Sequence, residues 1–128
     1  MRYLIDTNLL SQQDAHPKVR NWIMQHFLQL AVSSVTVAEI AQGIQALPFG
    51  KRRARLEGLL EEMMHDYPVL SFDTPEALVC GNYVTSVGRP VPILDSIIAA
   101  TALANDLEVV TKNTRDFPGV PTVNPAAG

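Results

Sequence analysis

Apolar residues along this chain follow two alternating patterns: short continuous runs, and longer stretches with a spacing of three to four residues. The runs are rich in valine, isoleucine and leucine, and unbroken apolar character is typical of parallel strands that are buried on both faces. We predict strands at residues 3–5, 31–35, 68–72 and 108–111, with a short last strand at 120–123.

The stretches between the runs have the spacing of amphipathic helices, and several carry signals for helix ends. Pro17 suits a first helical position, Thr36 and Glu39 have the spacing of a capping box, and Asp73 or Thr74 caps a later helix. The helix after residue 51 is expected to bury Leu56, Leu59, Leu60 and Met63. We predict helices at residues 17–30, 36–47, 52–66, 74–88 and 93–105, with a polar link at 11–16.

This alternation predicts an α/β fold with a mainly parallel sheet of four to five strands and helices on both faces. The length of 128 residues suits one domain over residues 1–128. Cys80 is the single cysteine, so an intramolecular disulfide and a cysteine-based zinc site are excluded, and we expect its side chain in the core.

The hydropathy and net charge of the chain limit where the protein is expected to reside and what it is expected to bind. No apolar stretch reaches about 18 residues and no signal peptide is recognisable, so we expect a cytoplasmic protein without membrane contact. The net charge of −3 argues against binding nucleic acid by bulk charge, although it leaves local basic patches open.

Asp6 follows the first apolar run directly. An acid at the carboxyl end of a first strand points into the crevice where open α/β sheets bind ligands. The alternative is a turn residue or a helix cap. The functional interpretation gains weight because a carboxylate at the exit of a buried strand is costly unless it is paired, metal-bound or hydrated.

Glu39, Asp95 and Asp116 are the other candidate acids, and each has an ordinary alternative. Glu39 would complete a capping box, Asp95 would favour a helix dipole, and Asp116 would belong to a turn. Acids that follow parallel strands can approach one another, however, because those loops emerge at one edge of the sheet. Four gathered carboxylates need protonation or a divalent cation, and oxygen-only ligands favour Mg²⁺ or Mn²⁺.

Such acidic pockets activate a water and stabilise the leaving oxygen in phosphodiester cleavage. No rival site is visible, because His16, His26 and His65 lack metal-ligand spacing. Glycine-rich phosphate loops, dinucleotide turns and the nucleophile elbow G-x-S-x-G are also missing from the sequence.

Four blocks of the sequence together resemble the PIN-domain family. They are YLIDTNLLS at residues 3–11, TVAEI at 36–40, LDSIIAATA at 94–102 and VTKNTRDF at 110–117. The blocks occur in family order, and the resemblance covers nearly the whole chain, from Arg2 to about Val123. More narrowly, the chain is similar to the VapC toxins of bacterial toxin–antitoxin pairs.

The resemblance implies a function and a set of site residues. The implied catalytic and metal-binding residues are Asp6, Glu39, Asp95 and Asp116, with Thr7, Asn8 and Asn113 as supporting polar groups. The implied activity is Mg²⁺- or Mn²⁺-dependent endoribonuclease cleavage of structured RNA, often transfer RNA. Many relatives carry a glutamate where this chain has Gln12, and relatives vary at the position of Asp116.

The resemblance also implies partners. It implies a homodimer and a cognate, VapB-like antitoxin that blocks the acidic pocket and binds operator DNA, so that this chain meets DNA only through its partner. Candidate contacts to RNA phosphates are Lys51, Arg52, Arg53, Lys112 and Arg115. For the first three, the alternative is a solvated start of a helix.

Two other functions compete with the nuclease. A phosphatase or receiver-like domain would use Asp6 as a nucleophile, but such phosphatases want a second acid two residues on, where Asn8 stands. A catalytically idle binding module would act only through its partner, and the intact set of acids argues against it.

Overall fold

The computed structural model describes residues 1–127, apart from the side chains of Gln12 and Asp14. Its five strands form one sheet in the order β3-β2-β1-β4-β5, and every pair of neighbours is parallel. The strands are β1 (Tyr3–Ile5), β2 (Leu30–Ser33), β3 (Val69–Leu70), β4 (Glu108–Val110) and β5 (Thr122–Val123). The predicted α/β fold with a parallel sheet is therefore confirmed.

Helices connect β1 to β2, β2 to β3 and β3 to β4, as parallel pairing favours, whereas a segment with one 3-10 turn connects β4 to β5. They are α1 (Thr7–Gln12), α2 (Pro17–Gln25), α3 (Ser34–Gln45), α4 (Lys51–Asp66), α5 (Thr74–Val87) and α6 (Ile93–Ala104). Single 3-10 turns occupy residues 13–15, 27–29 and 114–116. Within residues 1–127, no helix is long and apolar enough to cross a membrane.

The two faces of the sheet carry separate hydrophobic cores. In β1, Tyr3 and Ile5 belong to the core that includes residues of α1, α2 and α4, whereas Leu4 belongs to the core that includes Tyr83 of α5 and Ile98 of α6. This separation follows from the pleat, which directs successive side chains of a strand to opposite faces. Cys80 is 9% exposed, as expected of a core residue.

The register aligns the carboxyl ends of the three central strands. Ile5 of β1 lies beside Val110 of β4, and Leu4 lies beside Ala31 of β2. Asp6 continues this edge, because its backbone N–H donates to the carbonyl of Val110 at 2.9 Å. The residues that follow β1, β2 and β4 therefore emerge at one side of the sheet.

The predicted capping box of Thr36 and Glu39 is wrong. Helix α3 begins at Ser34, and its cap is Ser33, whose hydroxyl accepts from the backbone N–H of Val35 at 3.1 Å. The helix begins two residues earlier than predicted because Ser33, at the end of β2, already provides a good cap. Glu39 then lies in the second turn, and its side chain is free for another role.

Three other expectations need correction. Residues 7–12 form α1, so the predicted polar link at 11–16 begins within a helix and Asp6 leads directly into that helix. The second helix ends at Gln25 instead of residue 30. In α4, Met63 is buried as predicted, but Leu59 is 46% exposed because this helix packs through a narrower face than its apolar spacing indicated.

Candidate active site

Asp6 lies between β1 and α1 with only 7% of its surface exposed. It occupies the N-cap position, but its carboxylate makes no capping hydrogen bond to the helix. Instead, the Thr111 hydroxyl donates to Asp6 Oδ2 at 2.9 Å, and that hydroxyl accepts from the backbone N–H of Asn113 at 3.0 Å. A side chain from the end of β4 thus fixes the carboxylate.

The pKa of Asp6 is raised above its usual value, and burial is the largest cause. The hydrogen bond from the Thr111 hydroxyl and the nearby backbone N–H of Thr7 lower the pKa in part, whereas the charges of Glu39 and Asp116 raise it. Asp6 is therefore held near other acids at a partly dehydrated position.

Glu39 reaches the same region from the second turn of α3. The Thr7 hydroxyl donates to Glu39 Oε1 at 2.8 Å. Thr7 also lies 2.9 Å from the hydroxyl of Thr36, which is fully buried. Since the one hydroxyl proton of Thr7 is used on Glu39, Thr36 must donate to Thr7. Thr36 therefore orients Thr7, and Thr7 orients Glu39.

Asp95 stands half-buried in the first turn of α6. Its pKa is raised to about 6; burial is the largest cause, followed by the charges of Asp116, Asp6 and Glu39 in that order. Its burial follows from its neighbours, because Ile98 and Ala99 one turn later are core residues. Asp95 thus shares its surroundings with the other three acids.

Asp116 and the supporting amides lie at the exposed rim of the site. Asp116 belongs to the 3-10 turn at 114–116, and Asn113 occupies the position before that turn. Asn8 is exposed in α1. The side chain of Gln12, where many relatives carry glutamate, lies outside the described residues.

The four predicted acids are near enough to influence one another, although they do not form a closed ligand set. Within the described part of the chain, no group of three histidine, cysteine, aspartate or glutamate side chains stands close enough to hold a metal ion. The donor chemistry nevertheless suits a hard divalent cation, because every candidate ligand is a carboxylate oxygen. A cation would also relieve the mutual repulsion that raises the pKa values of Asp6 and Asp95.

Basic side chains border this acidic group. Lys112 directs its Nζ to the Nε2 of His16 at 3.1 Å. Arg115 is exposed, and its backbone carbonyl accepts from the Nη2 of Arg89 at 2.7 Å. Arg89 therefore links the loop before α6 to the turn that carries Asp116.

The other predicted basic cluster lies at the start of α4. Lys51 and Arg52 are exposed there. Arg53, in contrast, donates to the carbonyl of Leu47 at 3.2 Å and to Gln45 Oε1 at 2.7 Å, and its guanidinium lies 4.2 Å from the centre of the Phe49 ring. The guanidinium of Arg53 is thus used within the connection between α3 and α4.

Four residues that shape the site were not predicted from the sequence: Thr36, Thr111, Arg89 and His16. Thr36 and Thr111 each follow the carboxyl end of a strand, as Asp6, Glu39 and Asp116 do, and a search of those positions for hydroxyl groups would have found them. Arg89 and His16 carry no comparable signal, because their contacts join distant parts of the chain.

Comparison with known proteins gives a family and several relatives. The PIN domain family model matches residues 3–122. The plasmid stability protein StbB of Pseudomonas syringae is 35% identical, covering 95% of this chain and 96% of its own length. The VapC ribonuclease Y4jK of Sinorhizobium fredii is 33% identical, with coverage of 95% and 96%. A VapC of Shigella flexneri named a tRNA(fMet)-specific endonuclease is 29% identical, with coverage of 91% and 90%.

Solved structures with the same fold include complexes of such proteins. FitAcB from Neisseria gonorrhoeae superposes with a TM-score of 0.86 at 30% identity, covering 96% of this chain and 97% of that one. DNA-bound VapBC from Salmonella typhimurium has a TM-score of 0.83 at 25% identity, with 98% of both chains covered. The expected resemblance to PIN domains and VapC proteins is confirmed.

Proposed function

The chain belongs to the PIN-domain family, and on that premise we propose that it is a Mg²⁺-dependent endoribonuclease toxin that cleaves structured RNA. Transfer RNA is the proposed substrate class, since one relative is named as a tRNA-specific endonuclease. The observation that carries the proposal is the gathering of Asp6, Glu39, Asp95 and Asp116, whose charges act on one another at one side of the sheet.

The proposed ligands of Mg²⁺, or of Mn²⁺, are Asp6, Asp95 and Asp116, with Glu39 as a further ligand or as the group that orients the attacking water. When bound, such an ion supplies an activated water and stabilises the leaving oxygen of a phosphodiester. Asn8 and Asn113 are proposed to support the site from its exposed rim.

The threonines define which oxygens of these acids remain available. Thr111 occupies Oδ2 of Asp6, so Oδ1 of Asp6 is left for a ligand. Thr7 occupies Oε1 of Glu39, so Oε2 of Glu39 can accept a proton or a hydrogen bond from water. The hydroxyls thereby hold both carboxylates in fixed orientations before substrate binds.

RNA has to approach a site that is acidic. Lys112 and Arg115 flank the acids, and Lys51 and Arg52 are exposed at the start of α4, so we assign these four side chains to RNA phosphates. Arg53 was the fifth candidate, but its guanidinium already has partners within the chain, which makes it the least suited to that role.

We further propose a homodimer, a cytoplasmic location, and inhibition by a cognate VapB-like antitoxin that also carries the complex to operator DNA. The support is the likeness to FitAcB and to DNA-bound VapBC. Apolar side chains on the surface are compatible with such contacts, since Leu28 is 91% and Phe49 is 89% exposed.

The decisive experiment is cleavage of total cellular RNA by the purified protein with Mg²⁺, with Asp6→Asn and Asp95→Asn compared in parallel. We expect discrete fragments that disappear with EDTA and in both variants, and sequencing of the fragment ends would name the target. Absence of cleavage after confirmed removal of any co-purified antitoxin would favour a catalytically idle binding module. Cleavage that survives both substitutions would show that the site is elsewhere or that a contaminant is active.

A further inference from the structure

A cavity of about 460 Å³ lies beside the acidic site and has no role in the chemistry described above. Residues of α5 line it together with the end of α6 and the segment that follows Asp116. The lining includes Val79, Asn82, Ser86, Val87, Leu103 and Pro118. Pro118 is two residues beyond Asp116 in the chain, and Tyr83 of the lining is close enough to Asp95 for that charge to act on its hydroxyl.

Arg89 lies close to this cavity, because its charge acts on Tyr83 of the lining. It follows α5 by two residues, and its Nη2 donates to the carbonyl of Arg115 at 2.7 Å. The Arg89 side chain makes no second hydrogen bond to the described residues. Most of its five N–H donors therefore remain for a ligand. The exposed guanidinium of Arg89 is therefore held against the turn that carries Asp116, near Tyr83 of the cavity lining.

Tyr83 also lines the cavity and connects it electrostatically to the acids. It is 5% exposed, and its hydroxyl oxygen has no hydrogen-bond partner in the part of the chain that the structure describes. Burial raises the pKa of Tyr83, while Arg89 lowers it and Asp95 raises it, so the hydroxyl stays a donor that is close to both charges. A buried donor without an acceptor is costly, and a bound polar group can remove that cost.

We propose that this cavity is a subsite for one nucleotide of the RNA, with the base in the cavity and its phosphate on the Arg89 guanidinium. The proposal rests on the nuclease function above and names the position of a nucleotide next to the cleaved bond. It adds Arg89, Asn82 and Ser86 to the residues that contact the substrate.

The chemistry of the lining favours a nucleotide as the occupant. Proteins that read single-stranded RNA place unstacked bases against apolar or aromatic surfaces and bind their edges by hydrogen bonds. Here valine, leucine and proline side chains line the cavity, and Asn82 and Ser86 supply an amide and a hydroxyl. An arginine fork matches the geometry of a phosphate, and an immobilised cation offsets the repulsion between RNA and the neighbouring carboxylates.

The test compares two substitutions with matched controls. Ser86→Phe fills the cavity from an exposed helix position, and Thr85→Phe adds the same ring at the next exposed position, which is not part of the lining. Arg89→Ala removes the guanidinium, and Arg20→Ala removes an exposed arginine on α2. Thermal unfolding of all four variants verifies that they are folded.

Two measurements are made with bulk bacterial transfer RNA as the probe. The first is KM and kcat of cleavage, and the second is RNA binding at several salt concentrations in an Asp95→Asn background, which does not depend on turnover. We expect Ser86→Phe and Arg89→Ala to raise KM and the binding Kd about tenfold, a typical loss for one base contact. Arg89→Ala should also lower the salt slope of binding by about 0.7, the value for one phosphate contact on a single strand. Thr85→Phe and Arg20→Ala should match the wild type.

The outcomes separate this inference from the proposed function. If the wild type does not cleave RNA, the nuclease proposal fails. RNA binding by the variants still shows whether the cavity binds a nucleotide. Equal RNA binding by Ser86→Phe and Thr85→Phe would overturn the subsite, as would a loss confined to Arg89→Ala, which would indicate a phosphate contact without a base. Unchanged RNA binding with weakened binding of an antitoxin peptide would also overturn it and assign the cavity to a protein partner.

Discussion

At the scale of single residues, hydroxyl groups determine how the acids are presented. Thr111 holds Asp6, and the pair Thr36 and Thr7 holds Glu39. All three threonines are at most 8% exposed, so water cannot easily replace them. Each carboxylate therefore keeps one orientation in spite of the like charges around it.

Thr111→Val should destabilise the protein and raise the pKa of Asp6 further, because the carboxylate loses its hydrogen bond in a buried position. A hydrogen bond to a charged group is worth about 1.5–3 kcal/mol, so we expect that loss in the free energy of unfolding at pH 7.5. Urea denaturation measures it, and Thr85→Val, at an exposed position, is the control. Equal stability of the two variants would mean that Asp6 does not depend on Thr111.

Asp95→Asn should stabilise the metal-free protein at pH 7.5 but not at pH 4. The pKa of Asp95 is about 6 in the folded protein against 3.8 for an ordinary aspartate, so the folded state binds more protons between these values. Wild-type stability consequently falls as the pH rises from about 4 to about 6. After allowance for solvent screening, we expect a gain of up to about 1 kcal/mol for the variant.

Urea denaturation in EDTA at both pH values tests this expectation. Glu61→Gln, an exposed position on α4, serves as the control for loss of one negative charge. A constant difference between wild type and Asp95→Asn across this pH range would contradict the raised pKa of Asp95.

At the scale of elements, the connection between α3 and α4 depends on one arginine. The side chain of Arg53 is 11% exposed. It donates two hydrogen bonds, its guanidinium lies over the Phe49 ring, and its Nε lies 3.5 Å from Oε1 of Glu57. Arg52 and Lys51 in the same turn are exposed. Arg53 thus has a structural role, whereas the neighbouring Lys51 and Arg52 are exposed to solvent.

Arg53→Ala should therefore lower the free energy of unfolding by about 1–2 kcal/mol, the loss expected from hydrogen bonds made by a charged and largely covered group. Arg52→Ala should leave stability within about 0.5 kcal/mol of wild type, as surface substitutions usually do. Thermal or urea unfolding of both variants decides the matter. The expectation fails when Arg52→Ala costs as much stability as Arg53→Ala.

At the scale of the whole molecule, the parallel sheet gathers acids that are far apart in the sequence. Asp6 and Asp95 are separated by 89 positions, yet each lies within the electrostatic influence of the other acids. A cation that binds this group in the folded protein alone must stabilise the whole fold.

Mg²⁺ should accordingly raise the melting temperature of the wild type. At a concentration of one hundred times its Kd, a ligand that binds only the folded state adds about 2.7 kcal/mol of stability. Asp6→Asn and Asp95→Asn should lose most of this gain, while Glu61→Gln retains it. Differential scanning fluorimetry with and without Mg²⁺ measures the effect, and equal gains in all four proteins would place the ion elsewhere.

Much of this protein can be predicted from its sequence. The apolar runs predicted the parallel sheet, because the central strands β1, β2 and β4 are almost entirely buried and have to be apolar. Asp6, Glu39 and Asp116 after these strands, with Asp95 at the start of an apolar helix, indicated the candidate site, since a carboxylate in such surroundings is costly without a partner. Local signals were weaker: the capping box at Thr36 and Glu39 was wrong because Ser33, which the sequence placed inside the strand at 31–35, is the cap of the helix.

The tertiary structure alone decided which groups meet. The hydrogen bond from Thr111 to Asp6 spans 105 positions, and that from Arg89 to Arg115 spans 26, so neither leaves a periodic trace in the sequence. The spacing of apolar residues in the sequence indicates on which face of a helix or strand a residue lies. A contact between two elements depends instead on the register of the sheet and on how the helices pack across it. For this reason the sequence determined the fold and the acids, and the packing determined their orientation and the cavity beside them.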